Sequence, residues 1–404
     1  MNKLHVYSEI GTLKKVLLHE PGEELNNLTP KYLEELLFDD IPWLKLAKEE
    51  HRAFAGALRD NGVEVVYLVD LMVDVLKNKK VRLEFIDKFI EEASISSHTL
   101  KDVVRKYLDN IKDNRELVLK CIAGIKRTEL IGSKKRTLQD YVVSSPFVTN
   151  PMPNLYFTRD PFVILNDGVI INKMYSKTRQ RETIFGDFIF RYHEDYKDVI
   201  KYYSRYNEYN IEGGDVLVLK EDTIIIGISQ RTSPAAIETL AKNIFFNNES
   251  KIKKILAFNI PSERTFMHLD TVFCQVDYDK FTIHKGVYKV MEIYEITPNE
   301  KTKNKLIVKK LNNKLDEVLS NVLGKKITFI PCGGDDIISS DREQWSDGSN
   351  CFCIAPGVVI AYERNDITNQ VLRDNGIRVI TIPSSELSRG RGGPRCMTMP
   401  FYRE

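Results

Sequence analysis

Short apolar runs of four to six residues, joined in pairs by tight polar turns, recur along the chain. Pro161-Phe-Val-Ile-Leu is followed by Asp167-Gly and then Val169-Ile-Ile-Asn. Asp215-Val-Leu-Val-Leu, Glu221-Asp and Thr223-Ile-Ile-Ile-Gly repeat the shape, as do Cys351-Phe-Cys-Ile-Ala, Pro356-Gly and Val358-Val-Ile-Ala. Runs this short, rich in Val and Ile and bounded by turn residues, predict strands. After each pair comes a polar segment with arginine (Arg179 and Arg181, Arg231, Arg364), and usually a helix-compatible stretch. A further strand follows, such as Lys254-Ile-Leu-Ala-Phe or Arg378-Val-Ile-Thr-Ile. One copy opens at Leu13-Lys-Lys-Val-Leu-Leu-His and closes at Val63-Glu-Val-Val-Tyr-Leu, and another starts at Thr271-Val-Phe-Cys-Gln-Val. About five strand-strand-helix-strand modules predict an α/β fold with radial repetition around a centre. A doubly wound sheet is the alternative that periodicity alone leaves open.

One stretch breaks this pattern. Residues 74–140 are rich in Lys and Glu, nearly free of Gly, and contain no Pro. Leu83, Ile86, Phe89 and Ile90 recur at helical spacing, as do Val104, Tyr107, Leu108 and Ile111, with Ser97 to Thr99 as capping residues between them. The predicted organisation is a catalytic body from residues 1–73 and 141–404, interrupted by a helical insertion over 74–140.

Charge then removes several function classes. Lys+Arg 59 against Asp+Glu 57 leaves +2, which gives no basis for binding nucleic acid or an anionic membrane. The most apolar stretch, Val65 to Leu76, is interrupted by Asp70 and Asp74, so no membrane span is predicted. Met1-Asn-Lys-Leu-His lacks the apolar core of a signal peptide, and a cytoplasmic location is expected. The six cysteines are then expected to be free thiols, with Cys351 and Cys353 as buried packing.

Candidate chemistry gathers at module edges. In Met267-His268-Leu-Asp270, an extended backbone would set imidazole and carboxylate on one face. Taken alone, the pair is more often a surface hydrogen bond or half a metal site, and no third ligand has metal spacing. Glu212-Gly-Gly-Asp215 alone is most simply a turn in which glycine supplies φ > 0. Gly390-Arg391-Gly-Gly-Pro-Arg-Cys396-Met has neither the dinucleotide nor the P-loop fingerprint. A lone cysteine is usually inert, but Arg391 and Arg395 flank Cys396, and nearby cations favour a thiolate. With a histidine and carboxylates elsewhere, a nucleophile and base are available.

Taken together and in order, these segments resemble the arginine deiminase family within the guanidine-modifying enzymes. The resemblance runs along essentially the whole chain, from Ser8-Glu-Ile-Gly-Thr-Leu through Leu28-Thr-Pro, Leu36-Leu-Phe-Asp-Asp, Phe157-Thr-Arg-Asp-Pro, Glu212-Gly-Gly-Asp and His268-Leu-Asp to Gly-Pro-Arg-Cys396-Met. It implies a pseudo-fivefold α/β propeller of ββαβ modules with an inserted helical subdomain. It implies hydrolysis of free L-arginine to citrulline and ammonia through a covalent amidino adduct on Cys396, without metal or organic cofactor. Asp160 and Asp270 would grip the guanidinium bidentately, as a planar cation allows. His268 would act as acid and base, oriented by Glu212. Arg179, Arg231 and Arg391, helped by Asn154, would hold the α-carboxylate, and Phe157 would cover the aliphatic stem. The partners implied are arginine and water, with a homodimer or homotetramer as the assembly.

One position departs from the family pattern: many relatives carry His where this chain has Arg395. Agmatine deiminases need no α-carboxylate clamp, dimethylarginine hydrolases are shorter and lack the insertion, and amidinotransferases pass the amidino group to an amine. From other classes, a binding protein with a vestigial pocket predicts loss of Cys396 or His268, and a zinc hydrolase predicts sensitivity to chelator. The three glycines Gly390, Gly392 and Gly393 suggest a loop that moves to admit substrate.

Overall fold

Strand pairing follows the turns that the sequence marks, in a computed structural model that describes residues 3–95, 98–130, 145–247, 249–261, 265–288 and 290–404. Phe162–Leu165 pairs antiparallel with Gly168–Ile171 across the Asn166-Asp167 turn, where Asn166 takes the positive φ that such two-residue turns need. Val216–Lys220 with Thr223–Ile228 and Phe352–Ala355 with Val358–Tyr362 repeat this hairpin. From each hairpin the chain crosses through a helix (Thr183–Tyr192, Pro234–Lys242, Asp366–Asp374) to a parallel third strand. Those third strands are Lys201–Tyr203, Lys254–Asn259 and Arg378–Ile382. The fourth unit joins Phe273–Gln275, Lys280–Ile283 and, through Leu315–Leu323, the parallel strand Thr328–Pro331.

The remaining unit is assembled from both ends of the chain. Leu13–Leu18 runs through the helix Leu44–Asp60 to the parallel strand Glu64–Tyr67, and its antiparallel partner is Met399–Arg403. That closure seats the segment carrying Cys396, which is buried, directly before the closing strand. Among the described residues there are therefore five sets of two antiparallel strands, a helix and a parallel third strand. The hairpin strands of the second and third units are buried nearly throughout, which is why they read as unbroken Val/Ile runs instead of alternating.

Four details differ from the sequence expectations. A hairpin of Glu292–Pro298 and Leu306–Leu311 adds to Lys254–Asn259, making the third sheet five-stranded. Its outer strand is largely exposed and Lys-rich, so the apolar pattern gives little sign of it. Helix begins at Leu68, ahead of residue 74, and continues as Lys79–Glu92, His98–Asn110, Asn114–Ala123 and Arg127–Leu130. In the second of these Leu83 faces solvent, and the buried stripe is Val81, Phe85, Ile86, Phe89 and Ile90. Phe85 packs against Phe185 and Phe188, fastening the helices to the second unit. Of the expected capping residues, Ser97 lies outside the described residues and Thr99 lies within a helix, while Asn78 and Asp113 cap its neighbours. All six cysteines are buried and free, Cys351 and Cys353 among them. Among the described residues no helix is long and apolar enough to cross a membrane.

Candidate active site

Four loops converge where the units meet. Cys396 follows the short turn Leu387–Gly390 and precedes the closing strand. Its backbone is fixed on both sides: the N–H donates to Asn350 Oδ1 at 3.1 Å, and its carbonyl accepts from Arg159 N–H at 3.1 Å. The glycines ahead of it have a packing reason to be glycine. A side chain at Gly392 would collide with the Phe157 ring, and one at Gly393 with Asn350. None of Gly390, Gly392 and Gly393 has positive φ, so their place in the sequence reflects close approach.

Glu212 precedes the short turn Gly213–Asp215, which enters the strand Val216–Lys220. Neither Gly213 nor Gly214 has positive φ, contrary to the turn reading. Gly214 is required because the His268 ring lies against its α-carbon, and Gly213 because the Arg159 carbonyl does. His268 and Asp270 do not lie along an extended segment: Leu269–Thr271 is a tight helical turn. The two side chains accordingly serve different partners. His268 Nε2 lies 2.8 Å from Glu212 Oε2, and its Nδ1 lies 3.9 Å from Asp160 Oδ1. Asp270 Oδ2 lies 3.6 Å from Cys396 Sγ.

Each of the two aspartates already holds a protein arginine. Asp160 Oδ2 accepts from Arg179 Nη1 at 2.8 Å, and Asp270 Oδ2 accepts from Arg395 Nη1 at 2.8 Å. Each Oδ1 is buried with no hydrogen-bond partner. Each carboxylate thus presents one open oxygen, because a protein arginine occupies the other. Burying an unpaired carboxylate oxygen is costly, so the pair is poised for a cation that completes both.

Asn154, Phe157, Asp160, Arg179, Arg231, His268, Arg391 and Cys396 all line one cavity of about 20 Å³. That is room for roughly one water molecule. Glu212 stands behind His268, and Asp270 beside the thiol. Larger surface clefts lie elsewhere, one of about 640 Å³ beside Arg191 and His193, but no thiol lines it. Chemistry therefore marks the small cavity.

The three arginines are differently engaged. Arg179 is held by Asp160 and Glu182. Arg231 Nη1 lies 3.7 Å from Glu212, and its Nε and Nη1 have no hydrogen-bond partner. Arg391 lies 3.5 Å from the Trp345 ring and 3.5 Å from Asp39 Oδ2. Asn154 donates to the Leu36 carbonyl at 2.7 Å.

Electrostatics separates the thiol from the imidazole. Burial would lower the pKa of His268, but Asp160 and the Glu212 hydrogen bond overcome it and raise it. Burial would raise Glu212, and Arg231 together with His268 lowers it instead. The pair is therefore an imidazolium beside a carboxylate at neutral pH. Burial pushes the Cys396 thiol well up, Asp270, Asp160 and Asp347 push it further, and Arg395 opposes them. In the free site burial, together with the nearby carboxylates, outweighs Arg395 and disfavours the thiolate.

Several contributors escaped the sequence reading. Asp215 accepts from the Leu269 N–H at 2.8 Å and from Ser229 Oγ at 2.7 Å, bracing the His268 turn. Its place beside Glu212 was the available signal. Glu182 and Asn350 carry no motif of their own. A metal site was also invisible to spacing: Asp160, Glu212 and His268 each offer a ligand atom, all within 4.8 Å of one another. Two arginines beside these ligands supply the positive charge that a metal would otherwise bring.

A profile described as arginine deiminase matches residues 34–403. An arginine deiminase of Treponema denticola is 52% identical over all of this chain and 99% of its own length. Among solved structures, SxtG, an amidinotransferase from Microseira wollei, superposes with a TM-score of 0.57 at 13% identity, over 100% of this chain and 98% of that one. Unliganded AgrE superposes with a TM-score of 0.53 at 13% identity over 96% of this chain, which spans 40% of the AgrE chain. These two structures bear on the fold alone and place it among α/β enzymes.

Proposed function

Because the chain belongs to the arginine deiminase family, we propose that its small cavity is where L-arginine is hydrolysed, with the guanidinium carbon set against Cys396. The activity is cleavage of a guanidinium C–N bond, giving citrulline and ammonia. The observation that carries the site assignment is a buried thiol 3.6 Å from Asp270 and in one cavity with a His268–Glu212 ion pair.

The chemistry follows from charge. Arginine brings the cation that the open oxygens of Asp160 and Asp270 lack, and that same cation stabilises the Cys396 thiolate. Sulfur then attacks the guanidinium carbon, and the imidazolium of His268 protonates the departing amino group. Ammonia leaves carrying the proton that His268 gave, while the proton that the thiol lost has passed to solvent. The adduct left on sulfur keeps the positive charge. His268, now neutral, draws a proton from water, which attacks the same carbon. Citrulline and the free thiol result, His268 is again an imidazolium, and the proton released when the thiol ionised makes ammonium of the ammonia. Glu212 keeps His268 oriented and protonatable.

Arg231, with two nitrogens unpaired, is the main partner for the α-carboxylate, with Arg179 and Arg391 beside it and Asn154 as a polar helper. Phe157 covers the aliphatic stem. Since about 20 Å³ cannot hold arginine, the 388–396 segment moves outward to admit it. We further propose that the five units form a pseudo-fivefold propeller around this centre, with 1–73 and 141–404 as the catalytic body and 74–140 as an insertion. A cytoplasmic homodimer or homotetramer acting without metal or organic cofactor completes the proposal.

A metal-dependent hydrolase is the second reading, favoured by the Asp160, Glu212 and His268 cluster. A substrate panel tests both: arginine, agmatine and methylated arginine, each with and without chelator. Turnover of arginine alone, unaffected by chelator, is expected. Turnover of agmatine at a similar rate would remove the carboxylate clamp, and loss in chelator would favour the metal.

A further inference from the structure

The residue before the nucleophile, Arg395, is buried among charged and polar partners. Arg395 is 2% exposed, yet its guanidinium is fully employed. Nη1 donates to Asp270 Oδ2 at 2.8 Å, Nε to Glu9 Oε2 at 3.1 Å, and Nη2 to the Val216 carbonyl at 2.9 Å. Glu9 is itself anchored, because its other oxygen accepts from the Val218 N–H at 3.0 Å. A planar, rigid fork held on three sides has one orientation available, which no lysine could copy.

We infer that Arg395 is a positioning residue for the reaction, clamping Oδ2 of Asp270 beside the Cys396 sulfur and leaving Oδ1, which has no hydrogen-bond partner, for the guanidinium. The inference rests on the assignment of Cys396 and Asp270 to the guanidinium. Without the clamp Asp270 can rotate, and the carboxylate would offer either oxygen, or both, to the substrate or to the thiol. Arg395 has a second effect through space. Around Cys396 stand the carboxylates of Asp270, Asp160 and Asp347, which oppose ionisation of the thiol, and Arg395, which favours it. Arg159 and Glu9 face Arg395 from its other sides, and burial with Arg395's own charge disfavours protonated Arg159. One residue therefore sets both the angle of the gripping carboxylate and the readiness of the nucleophile.

The test replaces Arg395 with methionine or lysine and follows two readouts. These are kcat and KM for arginine, and the pH dependence of Cys396 alkylation by a small neutral reagent. Arg395→Met is expected to lower kcat about 10²-fold, because misplacement of a reacting group by about 1 Å costs that much, with a smaller change in KM. Its alkylation profile is expected to move to higher pH, since the favouring cation is gone. Arg395→Lys restores the charge and so the profile, but not the full kcat, because the fork is missing. Should Arg395→Met fail to fold with Glu9 and Asp270 left unpaired, the Glu9→Gln/Arg395→Met double variant removes one charge of each sign and carries the same test. A kcat within threefold of the parent overturns the inference. So does a lower kcat with an unmoved alkylation profile, which is what a purely structural ion pair would produce. A parent chain inactive on arginine, or a Cys396→Ala control that still turns it over, would instead locate the fault in the site assignment.

Discussion

Replacing Cys396 with alanine is expected to lower kcat for arginine by about 10⁵-fold or more, because the covalent route has no substitute nucleophile in reach. The other five cysteines are buried, and none lines the cavity. The fold is expected to survive. The two backbone contacts that seat residue 396, from Arg159 N–H and to Asn350 Oδ1, do not involve the side chain. The lost sulfur buries little surface, so the stability change is expected to stay near 1 kcal/mol. Circular dichroism melts and citrulline release, measured on the same preparation, separate the two effects. Residual turnover within tenfold of the parent would mean that sulfur is not the nucleophile.

The second large effect concerns the aspartates and carries opposite signs on two readouts. Asp270→Asn is expected to lower kcat/KM for arginine by about 10²–10³-fold, the usual cost of removing one partner from a buried charge contact. The same change removes the charge that most disfavours the Cys396 thiolate after burial. Alkylation of Cys396 at neutral pH should therefore quicken while arginine turnover slows. Asp160→Asn should match the loss of turnover. It also removes the largest favourable influence on protonated His268, so the alkaline limb of its activity should move to lower pH. If Asp270→Asn slowed alkylation as well as turnover, the assignment of that carboxylate to thiol electrostatics would be wrong.

Much of this was legible before any coordinates. Turn dipeptides between Val/Ile runs located the hairpins of units two, three and five, because buried strands have no polar residues to blur their limits. The site residues were legible only in combination, through the resemblance to the arginine deiminase family, because each motif alone has a blander reading. What escaped depends on long-range geometry. The partnership of Leu13–Leu18 with Met399–Arg403 joins residues nearly a chain length apart, and no local pattern encodes it. The outer strand Leu306–Leu311 of the added hairpin is largely exposed, so no buried face announces it. Gly214 and Gly392 were legible as glycines but not for their reason, since a neighbouring ring, His268 or Phe157, fills the space a side chain would need. The protonated resting thiol likewise depends on three carboxylates that meet it only in the fold, whereas the sequence showed just the two flanking arginines.

The most direct measurement is the intact mass of the protein quenched in acid during turnover of arginine, followed by peptide mapping. The account predicts a population heavier by arginine less ammonia, with the added mass on the peptide containing Cys396 and absent from Cys396→Ala. Vigorous citrulline production without that added mass at any quench time, while Cys396→Ala remains active, would contradict it.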